Sequence, residues 1–251
     1  MGVVAALVVL AACGSDGGGS SDDTAATTTT VADGAGLEVG REYVEAVVAD
    51  RGPDTEAMVA LSAPGSVAEG YAVHLGAVAD VQRAAGEPLD QGEVAVEEDT
   101  VVLRLDGAGG VTVDTRWSDF TLDEDGRLVD FTIDDESLDD RLVVDGATEA
   151  VEGVTASVVS AFQLVSNDSP VVVVEIENGG DARFRLARAA YEAPDATRVT
   201  STPAGRGLVV AAGATQRAVL VFARAPFGGT LTLQGVLGGA TPVEIALPLT
   251  P

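Results

Sequence analysis

The stretch WSDFTLDEDGRLVDFTID, residues 117–134, holds two apolar runs joined across an acidic turn. Glu124-Asp125-Gly126 contains an Asp-Gly pair, and glycine tolerates the positive φ that tight hairpins demand. The flanks alternate with a period of two, so the stretch predicts an antiparallel hairpin. Its first arm changes parity. Val111, Val113 and Trp117 share one face, whereas Phe120 and Leu122 fall on the other. One extra residue near Ser118-Asp119, a β-bulge, brings all five to the same side.

Upstream, Val94 and Val96 alternate with acids, and Val101, Leu103 and Leu105 follow. These extend the hairpin to a four-stranded antiparallel meander. Before Pro88 the period is helical. Val39, Tyr43, Ala46, Val47 and Asp50 recur at helical spacing, and Gly52-Pro53 ends the run. Asp54 with Ala57, Met58 and Leu61 predicts a short second helix. Ser66 caps a third, through Val67, Tyr71, His74, Leu75, Val78 and Val81, which stops at Gly86.

Helices followed by a long, bent antiparallel sheet resemble the NTF2-like (cystatin-like) cone fold, over residues 37–140. The resemblance implies an α+β domain that often encloses a pocket. Some members are enzymes, and the ketosteroid isomerase branch uses an Asp base with an oxyanion hole of Tyr and protonated Asp. Tyr43, Tyr71, Asp114, Asp119 and Asp130 supply those residue types. The family motif does not map onto them residue by residue, so no catalytic residue is assigned.

Downstream, charge changes abruptly. Residues 37–152 carry 29 Asp/Glu against 7 Arg, whereas residues 153–251 carry 7 of each. That break predicts two domains, with residues 141–152 as linker. The second half reads as short strands at 153–164, 170–177, 183–191, 196–201, 206–211, 216–223, 229–237 and 242–248, most of them separated by Gly, Pro, Asn or Asp. This is the pattern of an all-β sandwich. VVVVEIENGG (171–180) and GATQRAVLVF (213–222) resemble the immunoglobulin-like domains of bacterial surface lipoproteins, including the DUF4352/MPT63-like group.

The N-terminus bears on location. Residues 3–12 form an apolar stretch of signal-peptide length, too short to span a bilayer. Leu10-Ala11-Ala12-Cys13 resembles the bacterial lipobox and holds the only cysteine of the chain. The resemblance implies a signal peptide over 1–12, cleavage between Ala12 and Cys13, and a diacylglyceryl group on the Cys13 thiol. The Gly/Ser/Asp/Thr-rich segment 13–36 has the composition of a flexible tether. A lipid-anchored protein on the outer face of the cell membrane, of actinobacterial type, is the expectation.

Composition narrows the function classes. The net charge of −26 disfavours nucleic acid and anionic lipid as direct partners. All 14 basic residues are Arg, which reads as the codon bias of a GC-rich genome. One cysteine and one histidine exclude a disulfide and the multi-Cys and multi-His metal patterns. His74, lacking a G-x-S-x-G motif around Ser62 or Ser66, reads as structural. Asp123-Glu124-Asp125 and Asp134-Asp135-Glu136, the latter with Asp139 and Asp140, lack EF-hand spacing and read as solvated acids. Trp117, Phe120 and Phe131 read as core, and Arg183, Arg185 and Arg188 as a solvated basic group. No cofactor or metal is expected. The favoured function is a non-catalytic binding or interaction module of the envelope, with an envelope protein or small molecule as partner. A small-molecule enzyme or carrier using the cone, and a structural spacer, are the rivals. An apolar cavity in the first domain with one or two buried carboxylates of raised pKa favours the enzyme or carrier, a filled cone with an exposed apolar patch on the sandwich favours the interaction module, and neither leaves the spacer.

Overall fold

The computed structural model describes residues 34–89, 91–106, 112–201 and 208–251. Ala12, Cys13, most of the tether and Val111 lie outside them. The chain forms an α+β unit and then an all-β unit, with antiparallel pairing throughout its sheets.

Three helices come first: α1 (Gly34–Val47), α2 (Thr55–Leu61) and α3 (Val67–Ala85). Helix α1 begins at Gly34, three residues inside the segment read as tether. The Asp54 carboxylate accepts the Ala57 N–H at the start of α2, and the Ser66 hydroxyl accepts the Glu69 N–H at the start of α3. Gly86 ends α3 at φ 71°, where its N–H reaches back to the last turn. A meander follows in spatial order: β1 (Gly92–Glu97), β2 (Thr100–Asp106), β3 (Thr112–Leu122), β4 (Leu128–Ile133) and the short β5 (Glu136–Ser137).

The predicted turn and bulge are both present. Gly126 has φ 78° and donates to the Asp123 carbonyl at 3.1 Å. The Asp123 carboxylate also accepts the Asp125 and Arg127 N–H groups, which holds its pKa below the usual carboxylate value. Ser118 pairs with Thr132 and Thr121 with Asp130, so Asp119 and Phe120 together oppose Phe131. Asp119 takes φ 54°. The parity shift turns Phe120 onto the helix side with Trp117, whose ring stacks 4.9 Å from Phe131. Phe120 lies so close to Gly40 of α1 that a Cβ there would sit 2.5 Å from its ring.

The second unit comprises β6 (Leu142–Val144), β7 (Thr148–Val151), β8 (Val154–Gln163), β9 (Pro170–Asn178), β10 (Phe184–Glu192), β11 (Arg198–Ser201), β12 (Val209–Val210), β13 (Ala214–Val221), β14 (Thr230–Leu237) and β15 (Thr241–Pro248). One sheet runs β13-β9-β8-β6 with β7 beside β8. The other runs β11-β10-β14-β15 with β12 beside β10. Val172, Val174 and Ile176 of the first share a core with Leu186, Leu233 and Ile245 of the second, a sandwich-like arrangement.

Two sequence expectations change here. Residues 141–152 are not a plain linker, because β6 and β7 pair with β8. The second unit also contributes to the core of the first. Strand β8 has a register shift between Val158 and Ser160. Beyond it, Ala161 faces the sandwich interior, while Phe162 joins the core of the first unit. Leu142, Leu164 and Val165 pack against that same core. Arg141 adds a polar link, pairing with Glu136 at 2.9 Å and Asp168 at 3.2 Å.

Candidate functional site

Tyr71, His74, Leu75, Val78, Ala79 and Gln82 recur at intervals of three and four, so they form one stripe along α3. The stripe faces a cavity of ≈ 170 Å³. The opposite wall is the sheet, where Leu103 and Leu105 of β2 and Val113, Thr115 and Trp117 of β3 alternate inward. The third wall belongs to the second unit, with Phe162, Leu164, Val165 and Val171 at and beside the β8–β9 turn. Val47, Val48, Pro53 and Leu89 complete the lining. A broader hollow beside Asn167, Asp168 and Arg224 is more open and more polar, so the apolar cleft is the stronger candidate.

Few polar groups reach this cleft. His74 is 2% exposed, and its Nδ1 lies 3.0 Å from the Ser160 hydroxyl. Burial lowers its pKa to about 3, so the ring is neutral at physiological pH. Tyr71 is 7% exposed, and its ring packs edge-on to Trp117, Phe131 and Phe162. Burial alone raises the pKa of its hydroxyl, which has no hydrogen-bond partner among the described residues. The Thr115 hydroxyl accepts the Trp117 indole N–H at 3.2 Å. Asp134 stands half-buried at the edge, its carboxylate accepting the Arg116 N–H at 2.9 Å.

The Tyr and Asp residues considered for an isomerase-like site are not brought together. Only Tyr71 lines the cavity. Tyr43 donates to the Ala68 carbonyl in the core, Asp114 pairs with Arg104 and Asp119 holds the bulge through Thr132. Asp130 has a pKa raised by burial, but it accepts the Phe131 N–H away from the cleft. Ser62 donates to the Met58 carbonyl and Ser66 caps α3. Asp123 and Asp125 share Arg127, while Glu136 engages Arg141. No group of three or more metal-ligating side chains converges among the described residues. Arg185 and Arg188 are exposed on β10 and make no ion pair among the described residues.

Sequence reasoning placed Tyr71 and His74 on one helical face but missed the third wall. One signal was available. Val171–Val174 is an unbroken apolar run, and such a strand is buried on both faces. The structure uses it so, with Val172 and Val174 facing the sandwich and Val171 the cleft.

No family model matches the chain, and no curated protein matches it. Among solved structures, the one described as "X-ray structure of Northeast Structural Genomics Consortium target SoR45" aligns over 46% of this chain and 91% of its own. The identity is 17% and the TM-score 0.28, a likeness too slight to carry a fold or a function.

Proposed function

We propose that the protein is a lipid-anchored, extracytoplasmic binding protein that carries a small apolar molecule in the cleft between α3, the first sheet and the β8–β9 turn. The apolar cleft of ≈ 170 Å³ is the observation that carries this reading. A carrier fits better than an enzyme, because the one carboxylate of the lining, Asp134, is engaged by the Arg116 N–H. His74 is held neutral and hydrogen-bonded, and the one carboxylate of clearly raised pKa, Asp130, is elsewhere. Three helices over a long, bulged antiparallel sheet support the NTF2-like reading of the first unit. Two stacked antiparallel sheets support the immunoglobulin-like reading of the second.

The anchor rests on Leu10-Ala11-Ala12-Cys13 and the polar tract behind it. Two acyl chains on Cys13 would hold the protein stably at the membrane where one is marginal. Labelled palmitate incorporated by cells, and lost in Cys13→Ser together with membrane association, is the expected result. The cleft is tested by titrating ethylbenzene into full-length protein carrying Cys13→Ser. Saturable binding with a rise in Tm is expected, and a wide-ranging failure of ring-sized apolar probes to bind would leave the spacer role instead.

A further inference from the structure

We infer that Tyr71 selects the ligand of this cleft, and that the ligand is a neutral, ring-sized molecule with one hydrogen-bond-accepting oxygen. The inference rests on the binding reading above and gives it a chemical class.

The chain has three tyrosines, which act as controls for one another. The Tyr43 hydroxyl donates to the Ala68 carbonyl at 2.6 Å. The Tyr191 hydroxyl donates to the Pro226 carbonyl at 2.7 Å and accepts the Gly229 N–H at 2.9 Å. Tyr71 is 7% exposed where the other two are fully buried, and its hydroxyl has no partner among the described residues. Every fully buried side-chain N or O atom among the described residues has a partner, so the unpartnered Tyr71 hydroxyl is one that water-sized space reaches. Packing does not require it, since the contacts with Trp117, Phe131 and Phe162 are all made by the ring, and a phenylalanine would make them equally well. The hydroxyl belongs to a residue of the cavity wall, so what enters the cavity can complete it.

The rest of the lining restricts that ligand. No Arg contributes to the wall, the His74 ring is neutral, and the nearest carboxylate is that of Asp134 at the edge. An anion finds no counter-charge and meets a like charge at Asp134, so a neutral molecule fits best. At ≈ 170 Å³ the space is close to a cavity of about 150 Å³ that accepts benzene in another protein. Thr115 accepts the Trp117 indole N–H and donates to the Leu103 carbonyl at 3.5 Å, whereas the Tyr71 phenol is a donor with no protein partner among the described residues; Gln82 and Ser166 are further polar residues of the wall. A carbonyl or ether oxygen is the complementary group.

Two near-isosteric probes separate the outcomes. Acetophenone carries the oxygen and ethylbenzene lacks it. Affinities for both are measured by calorimetry on full-length Cys13→Ser protein, with and without Tyr71→Phe. The phenylalanine removes only a hydroxyl with no protein partner among the described residues, and retained Tm and circular dichroism check the fold. The acetophenone-to-ethylbenzene affinity ratio should fall about three- to tenfold in Tyr71→Phe, as for loss of one hydrogen bond, while ethylbenzene binding stays within about twofold. An unchanged ratio, with both probes bound, overturns the role of Tyr71 and leaves the cleft as a binding site. Binding of neither probe to either protein overturns the cleft reading and this inference together.

Discussion

Tyr71 and His74 stand one turn apart on α3, and the protein treats their polar atoms differently. The hydroxyl of Tyr71 is left open, whereas Nδ1 of His74 meets Ser160 at 3.0 Å. A lone histidine with no motif around it is most simply structural, and the structure finds it buried at the contact between the units. Its acid–base behaviour has a definite sign. Burial lowers the folded pKa from 6.5 to about 3, so the unfolded chain takes up the proton first. The contribution to stability is whole above about pH 6.5, is lost progressively as pH falls, and levels off near pH 3. Denaturant unfolding of wild type and His74→Gln at several pH values isolates it from the many carboxylates. Between about pH 5.5 and 4, wild type should lose about 1.4 kcal/mol per pH unit more than the variant. Parallel profiles would mean that the imidazole is reached by water when folded.

At the scale of elements, local sequence was a good guide. Caps at Asp54 and Ser66, the stop at Gly86 and the turn at Gly126 all rest on hydrogen bonds spanning a few residues. The β3 bulge was legible for another reason. A strand buried on one face cannot change parity without an extra residue, and Trp117 and Phe120 could not otherwise share a side. Asp119 takes up that extra length at φ 54°, a conformation costly for β-branched side chains. Asp119→Val and Asp119→Gly both lose the hydrogen bond from Thr132, so their difference reports the backbone. The valine variant should be about 1–2 kcal/mol less stable than the glycine variant in denaturant titrations. Equal stabilities would show that the bulge relaxes elsewhere. The edge strands β6 and β7 escaped the sequence reading. Short strands carry little periodic signal, and the acidic run before them has the composition of a linker.

For the whole molecule, the decisive residue is Phe162. It sits on a strand of the sandwich, is 3% exposed, and packs its ring 5.1 Å from that of Tyr71 and 5.7 Å from that of His74. The units therefore share apolar burial and should unfold together. Trp117, the only tryptophan, reports the first unit, while the β-sheet amide I band in the infrared comes mostly from the strands of the second. The two signals should coincide in wild type. Phe162→Ala should cost about 3–5 kcal/mol and shift the Trp117 transition to lower denaturant. An unmoved Trp117 transition would show that the first core closes without it. By itself the sequence determined the helices, the bulged hairpin, the strand succession of the second half and the charge break between the halves. Each of these follows from contacts between near neighbours or from an average over many residues. Only the tertiary structure decided that β8 and β9 present a second apolar face to α3, and so that a cleft exists with Tyr71 open inside it. Burial of that face depends on which distant surface meets it, and no local pattern around Ser160, Phe162 or Tyr71 encodes the partner.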